Sequence, residues 1–391
     1  MRLDIAGKPT QPSSDIFLNT VITVHIVVTA IIFLLPIPFE PVEFNLPDPP
    51  YLGDSFPENT HLKKAERILD DSILGPESLA YHLGEIYSGT ADGKIVRISK
   101  DLLVSDVAIL GPPSCANETE CGRPLGLRFG PDGGLYVLDA FLGLFRINVT
   151  TGEKSQLIPK DTEVDGKPIL FFNDLDVHSN GTVYFTHSSS RWHRHQHLTL
   201  AMEGTSDGRL LKYDPSSRRV SVLMDGLALA NGVQLSQDES FLLVAEGGRM
   251  RIHRYFLSGE KSGKTEIFAE NLPGFVDNIR PSSTTGGGFW VAHPTVRRRC
   301  IYDLLAPRPW LRRLLLKFFT PETIFQYTTK PYGLILELND EGEILQRMDD
   351  PAGSTVSVVS EVLDTGDHLH LGSYSTPFLT RIQISQEKFL V

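Results

Sequence analysis

A hairpin-like unit recurs six times along the chain, and this recurrence constrains the fold more than any other feature of the sequence. Each unit has a polar turn, followed by a short run of alternating or apolar residues. The turns are His82-Leu-Gly84, Pro131-Asp-Gly-Gly134, Ser179-Asn-Gly181, Ser236-Gln-Asp-Glu239, Thr285-Gly-Gly-Gly288 and Thr365-Gly-Asp367. Units at intervals of roughly fifty residues predict an all-β fold, a six-bladed β-propeller. A β-sandwich with long insertions is the alternative, but it does not explain the regular spacing.

Composition places the chain among globular proteins and excludes several functional classes. Its 391 residues, of which 41% are hydrophobic and 22% charged, suffice for one large domain or two ordinary ones. Because 48 Asp and Glu outweigh 37 Lys and Arg, and no long basic tract occurs, nucleic acid is not expected as the main partner. The three cysteines include no C-x-x-C pair, which argues against a zinc ribbon or a thioredoxin-type site.

Polar residues recur where the first strand of each predicted blade begins. In a propeller these innermost strands line a central channel, so equivalent positions form a ring around it. The six positions are Glu77, Leu125, Asn173, Asn231, Asp277 and Ser360. Carboxylate and carboxamide oxygens, without Cys or His, suit Ca²⁺ rather than zinc. The expected calcium ligands are therefore Glu77, Asn173, Asn231 and Asp277; a ring of turn-forming residues without a metal is the alternative.

The second strand of each predicted blade also ends on a polar residue, in order Thr90, Asp139, His187, Glu246, His293 and Ser373. Because neighbouring strands are antiparallel, these ends are expected on the same face as the first ring. A neutral imidazole near the metal can take a proton from water. We therefore predict catalytic roles for His187 and His293, together with Asp277. A hydrogen-bonded histidine at the rim is the alternative for either one.

A further histidine cluster follows the predicted strand that ends near His187. His193, His195 and His197 alternate with Arg191, Arg194 and Gln196. Alternate spacing can give a metal patch in a strand, but a solvated polar loop is the preferred interpretation. No functional role is predicted for it.

An uncharged run from Ile16 to Phe39 precedes the repeats. It exceeds the roughly 20 residues that cross a bilayer core, and therefore predicts a transmembrane signal-anchor helix over 16–39. A cleavable signal peptide would have a shorter apolar core and an A-x-A-like site, which is not found. A buried core helix is disfavoured by the polar and Pro-rich flanks.

The flanking charges predict the orientation of this helix. Arg2 and Lys8 precede it, whereas the next basic residue after it is Lys63. The positive-inside rule therefore predicts a single-pass type II protein with its propeller outside the cell or in a lumen, at the plasma membrane or endoplasmic reticulum. The predicted organisation is a cytoplasmic tail (1–15), a membrane span (16–39), a Pro-rich stalk (40–71) and a propeller (72–391).

Two features agree with a lumenal or extracellular propeller. N-glycosylation acceptor sequences begin at Asn117, Asn148 and Asn180. Cys115 and Cys121 bracket a short polar loop and can form a disulfide in an oxidising compartment, which leaves Cys300 odd.

The longest interval between units carries a basic amphipathic segment, 309–319. On a helical projection the apolar face holds Trp310, Leu311, Leu314, Leu315 and Phe318, and the other side holds Arg312, Arg313 and Lys317. Such a helix can lie in a bilayer interface, cover the channel mouth or dock on the propeller rim. The sequence leaves these three open.

From about Leu74 to its end, the chain resembles the adipocyte plasma membrane-associated protein and strictosidine synthase-like family. This family belongs to the calcium-dependent phosphotriesterase superfamily, with paraoxonases and gluconolactonases. The matching segments are Gly75-Pro-Glu-Ser78, Cys121-Gly-Arg-Pro-Leu-Gly126, Phe171-Phe-Asn-Asp174, Met202-Glu-Gly-Thr205, Ala230-Asn-Gly232, Val276-Asp-Asn278, Arg308-Pro-Trp310 and Leu371-Gly-Ser-Tyr-Ser-Thr-Pro-Phe378.

The resemblance implies a six-bladed propeller with a catalytic Ca²⁺ held by a Glu, two Asn and an Asp, matching the four residues above. The paraoxonase pattern adds Asn278 as a ligand and His293-Pro294 near the site. It also implies hydrolysis of esters or lactones, including aryl esters. The paraoxonases' histidine dyad has no counterpart here. The catalytic Glu of the condensing synthases falls on Ser360, with the neighbouring Glu361 expected to face away from the channel, which disfavours the synthase reaction.

The expected function is therefore a membrane-anchored, Ca²⁺-dependent hydrolase acting on a small-molecule ester or lactone. The first alternative is a non-enzymatic propeller, stabilised by calcium, that binds protein or lipid. The second is a strictosidine synthase-like condensing enzyme.

Overall fold

Six four-stranded antiparallel sheets follow one another along the chain in the computed structural model, which describes residues 14–53, 55–283, 288–297 and 301–384. This arrangement confirms the predicted all-β, six-bladed propeller. Four parts of the predicted organisation lie outside the described residues: most of the predicted cytoplasmic tail, part of the turn at 285–288, Cys300, and the last residues of the predicted propeller domain (385–391).

The strands are numbered in chain order, and β1 (Glu66–Ile68) comes first. Blade 1 contains β2 (Leu79–His82), β3 (Glu85–Gly89), β4 (Lys94–Ile98) and β5 (Val104–Ile109). Blade 2 contains β6 (Pro124–Phe129), β7 (Leu135–Asp139), β8 (Gly143–Ile147) and β9 (Lys154–Pro159). A small separate hairpin follows, formed by β10 (Glu163–Val164) and β11 (Lys167–Pro168).

The second half of the ring repeats the same order. Blade 3 contains β12 (Phe171–Val177), β13 (Val183–Ser189), β14 (Gly208–Asp214) and β15 (Arg219–Leu227). Blade 4 contains β16 (Ala230–Leu235), β17 (Phe241–Glu246), β18 (Arg251–Phe256) and β19 (Thr265–Ala269). Blade 5 contains β20 (Ile279–Pro281), β21 (Phe289–His293), β22 (Gly333–Leu338) and β23 (Ile344–Asp350). Blade 6 contains β24 (Glu361–Asp364), β25 (His368–Gly372), β26 (Leu379–Gln383) and β1.

The hydrophobic core lies between the blades. On β21, Phe289 and Val291 pack in a cluster with blade 4 residues, whereas Trp290 and Ala292 pack with blade 6 residues. Successive side chains of a strand point to opposite faces, so one strand contributes to two neighbouring interfaces. This explains why the strands are apolar on both faces, so that the turns mark the repeat as clearly as the alternation of side chains does.

The ring is closed by strands from both ends of the propeller. Strand β1 pairs antiparallel with β26, with Glu66 opposite Arg381 and Ile68 opposite Leu379. The predicted stalk (40–71) is therefore wrong at its end, because 66–68 belongs to blade 6. Its beginning also packs on the propeller: Phe44 is buried, and the Val42 amide donates to the Glu203 carbonyl at 2.8 Å.

Six α-helices are described in addition to the strands: α1 (Ser14–Leu34), α2 (Glu118–Cys121), α3 (His197–Glu203), α4 (Ile301–Leu305), α5 (Pro309–Leu315) and α6 (Pro321–Thr328). Short 3-10 helices cover His61–Lys64, Arg194–Gln196 and Gly247–Arg249. Helix α1 overlaps the predicted span at 16–39. Within the residues that the structure describes, no helix is both long and apolar enough to cross a membrane.

The insertion in blade 5 folds as helices α4 to α6, and the predicted faces of 309–319 need correction. Helix α5 ends at Leu315, and Arg312 on the predicted polar side is only 1% exposed. Its guanidinium donates to the carbonyls of Met202 and Glu203 in the last turn of α3. The carbonyls that end a helix have no partner within it, so a neighbouring cation can satisfy them. Trp310, predicted on the apolar face, is 64% exposed.

Candidate metal centre

First-strand positions from five blades converge on one cavity of about 690 Å³. These positions are Glu77, Leu125, Asn173, Asn231 and Asp277. The sixth, Ser360, donates from its Oγ to the carbonyl of Glu77 at 3.2 Å. The structure thus brings four predicted calcium ligands, which are up to 200 residues apart in the sequence, to the wall of the same cavity.

Two glycines allow neighbouring inner strands to approach at this point. A Cβ placed on Gly126 would lie 3.0 Å from the Asp174 Cα, and one on Gly232 would lie 2.8 Å from the Asn278 Cα. Real Cβ atoms are rarely found so close to backbone, so larger residues would push the strands apart. Each of these glycines faces the residue that follows a predicted ligand. Close packing of the backbones therefore helps to bring the ligands together.

Three oxygen atoms of the site lack the partners that buried polar atoms normally have. In the described part of the chain, Oδ1 of Asn231, of Asp277 and of Asn278 is buried and accepts no hydrogen bond. Such atoms are costly unless a donor or cation is present. The described residues hold no group of three or more His, Cys, Asp and Glu side chains placed for a metal. The predicted set instead combines two carboxylates with three carboxamides, a donor set that fits a hard cation such as Ca²⁺.

Two carboxyl groups in the cavity wall have perturbed pKa values. Burial raises the pKa of Asp277 well above its usual value, and the neighbouring Glu77 raises it further. Burial also raises the pKa of Glu77, against the opposing effect of Arg123. The Nη2 of Arg123 lies 3.4 Å from Glu77 Oε2. A bound divalent cation would favour the charged form of both groups, so the electrostatics agree with the donor chemistry.

A buried ionic network holds three blades together near these ligands. The Nη1 of Arg280 lies 2.8 Å from Asp174 Oδ2, and its Nε lies 2.6 Å from Glu361 Oε1. Burial alone would lower the pKa of Arg280, but Asp174 and Glu361 raise it above its usual value. The second oxygen of Glu361 accepts from Ser78 Oγ at 3.1 Å. Glu361 is therefore held by structural contacts, and it is not part of the cavity wall.

The structure does not bring the two predicted catalytic histidines into the cavity wall. His187 accepts a hydrogen bond at Nδ1 from Arg209 Nε at 3.0 Å, and burial together with Arg209 lowers its pKa to about 3. His293 is fully buried, with Nδ1 3.0 Å from the Phe275 carbonyl, and burial lowers its pKa to about 4. The expectation that both stand at the channel is wrong. The side chains that end the second strands point between blades, because successive side chains of a strand face its two neighbouring blades.

Polar groups for which the sequence predicts no role also line the cavity. Helices α3 and α6 contribute His197 and Glu322, and the preceding 3-10 helix contributes Arg194. The Nδ1 of His197 lies 3.1 Å from the Arg194 carbonyl, so it carries the proton and leaves Nε2 as the acceptor in the neutral ring. Burial, followed by the charge of Arg194, lowers the pKa of His197 to about 4. The sequence predicts no role for the histidine cluster. It gives no signal of the tertiary packing that places α3 at the cavity.

The remaining predicted sites lie at the periphery. Cys115 and Cys121 form a disulfide in the structure. The three predicted glycosylation sites are all exposed, at Asn117, Asn148 and Asn180. Glycosylation itself stays a prediction.

Comparisons with known proteins agree with this architecture. Residues 173–260 match the family described as strictosidine synthase, and 54–98 match the N-terminal region of strictosidine synthase-like proteins. The human adipocyte plasma membrane-associated protein is 42% identical over 376 residues, which cover 94% of this chain and 89% of that relative. The chain belongs to the adipocyte plasma membrane-associated protein and strictosidine synthase-like family. The resemblance described above is therefore confirmed.

Solved structures with similar folds share little sequence identity with this chain. A gluconolactonase from Xanthomonas campestris aligns with a TM-score of 0.55 and 15% identity, over 90% of this chain and 99% of its own. The calcium-binding protein regucalcin from Agrobacterium tumefaciens aligns with a TM-score of 0.52 and 13% identity, over 81% and 93%. At these identities the comparison supports the propeller fold alone.

Proposed function

We propose that this protein is a Ca²⁺-dependent hydrolase of carboxylic esters or lactones, with its active site in the central cavity. The observation that carries the proposal is the set of three buried, unpartnered Oδ1 atoms on Asn231, Asp277 and Asn278, of which Asn231 and Asp277 line a substrate-sized cavity. Together with Glu77 and Asn173 they would hold the ion. When bound, Ca²⁺ would polarise the substrate carbonyl and stabilise the oxyanion that forms when water attacks.

The walls of the cavity away from the predicted ligands fit the rest of such a substrate. They are largely apolar, with Leu125, Phe171, Leu229, Phe275 and Phe325 among the lining side chains. An acyl or aryl group is therefore favoured there over a hydrated sugar, since apolar walls give no partners to hydroxyl groups. The structurally similar Xanthomonas protein is a gluconolactonase, and lactone hydrolysis is the activity of that protein.

A proton acceptor is also present in the cavity. His197 is neutral near pH 7, because its pKa is lowered to about 4. Its Nδ1 proton is held by the Arg194 carbonyl, so Nε2 is left to accept a proton from water. The proposal assigns this role to His197 in place of His187 and His293; Asp277 remains in the proposal as a metal ligand.

The decisive experiment measures aryl ester and lactone hydrolysis by the purified full chain, after chelation and after Ca²⁺ is added back. We expect activity to be lost on chelation and restored by Ca²⁺, and Glu77→Gln to lower both calcium affinity and turnover. Asp139→Asn is the matched control, since Asp139 is a buried carboxyl outside the cavity wall. Full hydrolysis after exhaustive chelation would refute the proposal.

The second candidate is a non-enzymatic propeller whose calcium is structural. The absence of His187 and His293 from the cavity wall favours this alternative. It predicts that Ca²⁺ raises the melting temperature while no ester or lactone is hydrolysed above the buffer rate. A synthase-type condensation is disfavoured, since Ser360 replaces the acid and Glu361 is held by Arg280.

The propeller is further proposed to be held at a membrane through α1, with 1–15 in the cytoplasm. Large apolar side chains of this helix are exposed, among them Ile16, Phe17, Leu18 and Val21. Membrane association is also part of the name of the human relative. Glycan mapping tests the orientation. Modification at Asn148 or Asn180 would place the propeller in the secretory lumen or outside the cell. An unmodified propeller that protease digests from the cytoplasmic side of intact membranes would exclude this orientation.

A further inference from the structure

An exposed apolar surface lies on the outside of the blade 5 insertion. It consists of Trp310, Leu314, Phe318 and Phe319, which are 64%, 39%, 55% and 49% exposed, and we call it the α5 patch. Side chains of this size are normally buried, and a contiguous group of them marks an interaction site. The patch does not belong to the cavity, which α6 lines from the other side of the insertion with Phe325 and Gln326.

The outward orientation of the patch is fixed by the interior of the insertion. Arg312 is buried and donates to the carbonyls of Met202, Glu203 and Ala306. Leu316 packs in a buried cluster with Phe39, which follows α1, and with Leu305 and Ile324 of the insertion. Because these contacts determine the rotation of α5 about its axis, Trp310 and Leu314 cannot turn inward without breaking them. The exposed face is therefore a feature of the folded state.

The patch is continuous with the end of the apolar helix α1. The Nζ of Lys317 donates to the carbonyl of Leu35 at 2.7 Å, one residue after α1 ends. Arg313 forms an ion pair with Glu40, a few residues further along. Leu34 and Leu35 are themselves 83% and 40% exposed. An apolar environment that surrounds the end of α1 would therefore also contact the α5 patch.

We propose that the α5 patch docks on the surface of a lipid bilayer. Three observations favour lipid over a protein partner: continuity with α1, an exposed indole in the patch, and the neighbouring cations Arg308, Arg313 and Lys317. Indole rings favour the membrane interface, and basic side chains bind anionic headgroups. The docking holds the propeller against the membrane, and it does not depend on whether the cavity hydrolyses esters.

The test uses the fluorescence of Trp310 in the full chain, reconstituted in vesicles of phosphatidylcholine and phosphatidylserine. Of the three tryptophans, Trp290 is 1% exposed and Trp192 is half-buried, so Trp310 is the one open to lipid. Brominated acyl chains quench an indole that enters the interface. We expect quenching relative to unbrominated vesicles, and loss of that quenching in Trp310→Phe.

A second pair of variants separates docking from folding. Phe318→Ser with Phe319→Ser should reduce the quenching of Trp310 and leave the melting temperature unchanged, since both rings are about half exposed. The matched control is Leu83→Ser with Leu103→Ser, which removes two side chains that are 86% and 69% exposed on blade 1. Three results would each overturn the proposal. They are unchanged Trp310 emission in brominated vesicles, an equal loss of quenching in the control variant, and shielding of Trp310 only after a protein partner is added.

Discussion

Calcium should stabilise the folded propeller through Asp277, and the size of this effect can be estimated. At a calcium concentration of 100 times its Kd, a ligand that binds only the folded state adds about 2.7 kcal/mol to the free energy of unfolding. For a domain of more than 250 residues, this raises the melting temperature by roughly 5 °C. We expect this increment in the wild-type protein when Ca²⁺ replaces a chelator, measured by differential scanning calorimetry.

Asp277→Asn should affect the two states of the site in opposite directions. In the calcium-free protein the variant should be the more stable, since burial and Glu77 disfavour the charged form of Asp277. In the presence of Ca²⁺ the variant lacks a charged ligand. If its Kd rises 100-fold, the same calcium concentration adds only about 0.4 kcal/mol, which is less than roughly 1 °C.

The control for this prediction is Asp139→Asn, which changes another buried carboxyl. Burial raises the pKa of Asp139 to about 6, yet the group accepts backbone hydrogen bonds from Phe141 and Leu142 and does not line the cavity. This variant should leave the calcium increment unchanged even if it lowers both melting temperatures. A full increment in Asp277→Asn, or none in the wild-type protein, would refute the assignment of the site.

Three other predictions concern the scaffold. The pKa of His187 is lowered from 6.5 to about 3, so its neutral form stabilises the fold above pH 6.5. This stability is lost as the pH falls, and the loss is about 2 kcal/mol at pH 5. His187→Gln should therefore flatten the decrease in melting temperature between pH 7 and 5, whereas His195→Gln, at an exposed position, should not. Arg312→Met should cost about 3 kcal/mol in urea unfolding because it leaves buried carbonyls without donors, and Arg313→Met, at the exposed neighbour, under about 1 kcal/mol. Replacing Cys115 and Cys121 by Ser should cost about 2 kcal/mol, as expected from closing so short a loop, and an unchanged urea midpoint would contradict this.

The convergence of the predicted ligands on one cavity could be foreseen from the sequence because it depends on local features. Turns mark each hairpin and so show where each innermost strand begins. The first residue of that strand lies beside the channel, and this does not depend on how the outer strands of the blade pack. Glu77, Asn173, Asn231 and Asp277 could thus be aligned without any knowledge of contacts between blades. The same argument failed at His187 and His293. The turn pattern gives the position of a strand's end along the chain, but the side-chain direction at that end depends on how neighbouring blades pack.

Segments outside the repeat could not be placed from the sequence. Helix α3 lies over the cavity because Arg312, 110 residues away, binds the carbonyl of Met202. The segment predicted as a stalk follows the propeller surface through contacts such as that of the Asp48 carbonyl with Asn271, 223 residues away. No periodicity signals such contacts. For the same reason the amphipathic pattern of 309–319 did not reveal which of its cations is buried.

The pairing of β1 with β26 has a consequence for the order of synthesis. Glu66 and Arg381 are 315 residues apart in the chain and meet in an ion pair across these strands. Strand β1 must therefore wait, unpaired, until β26 has left the ribosome. Five blades can assemble during translation, but the ring stays open until β26 has been synthesised, and chains that stop before β26 should remain substrates for chaperones.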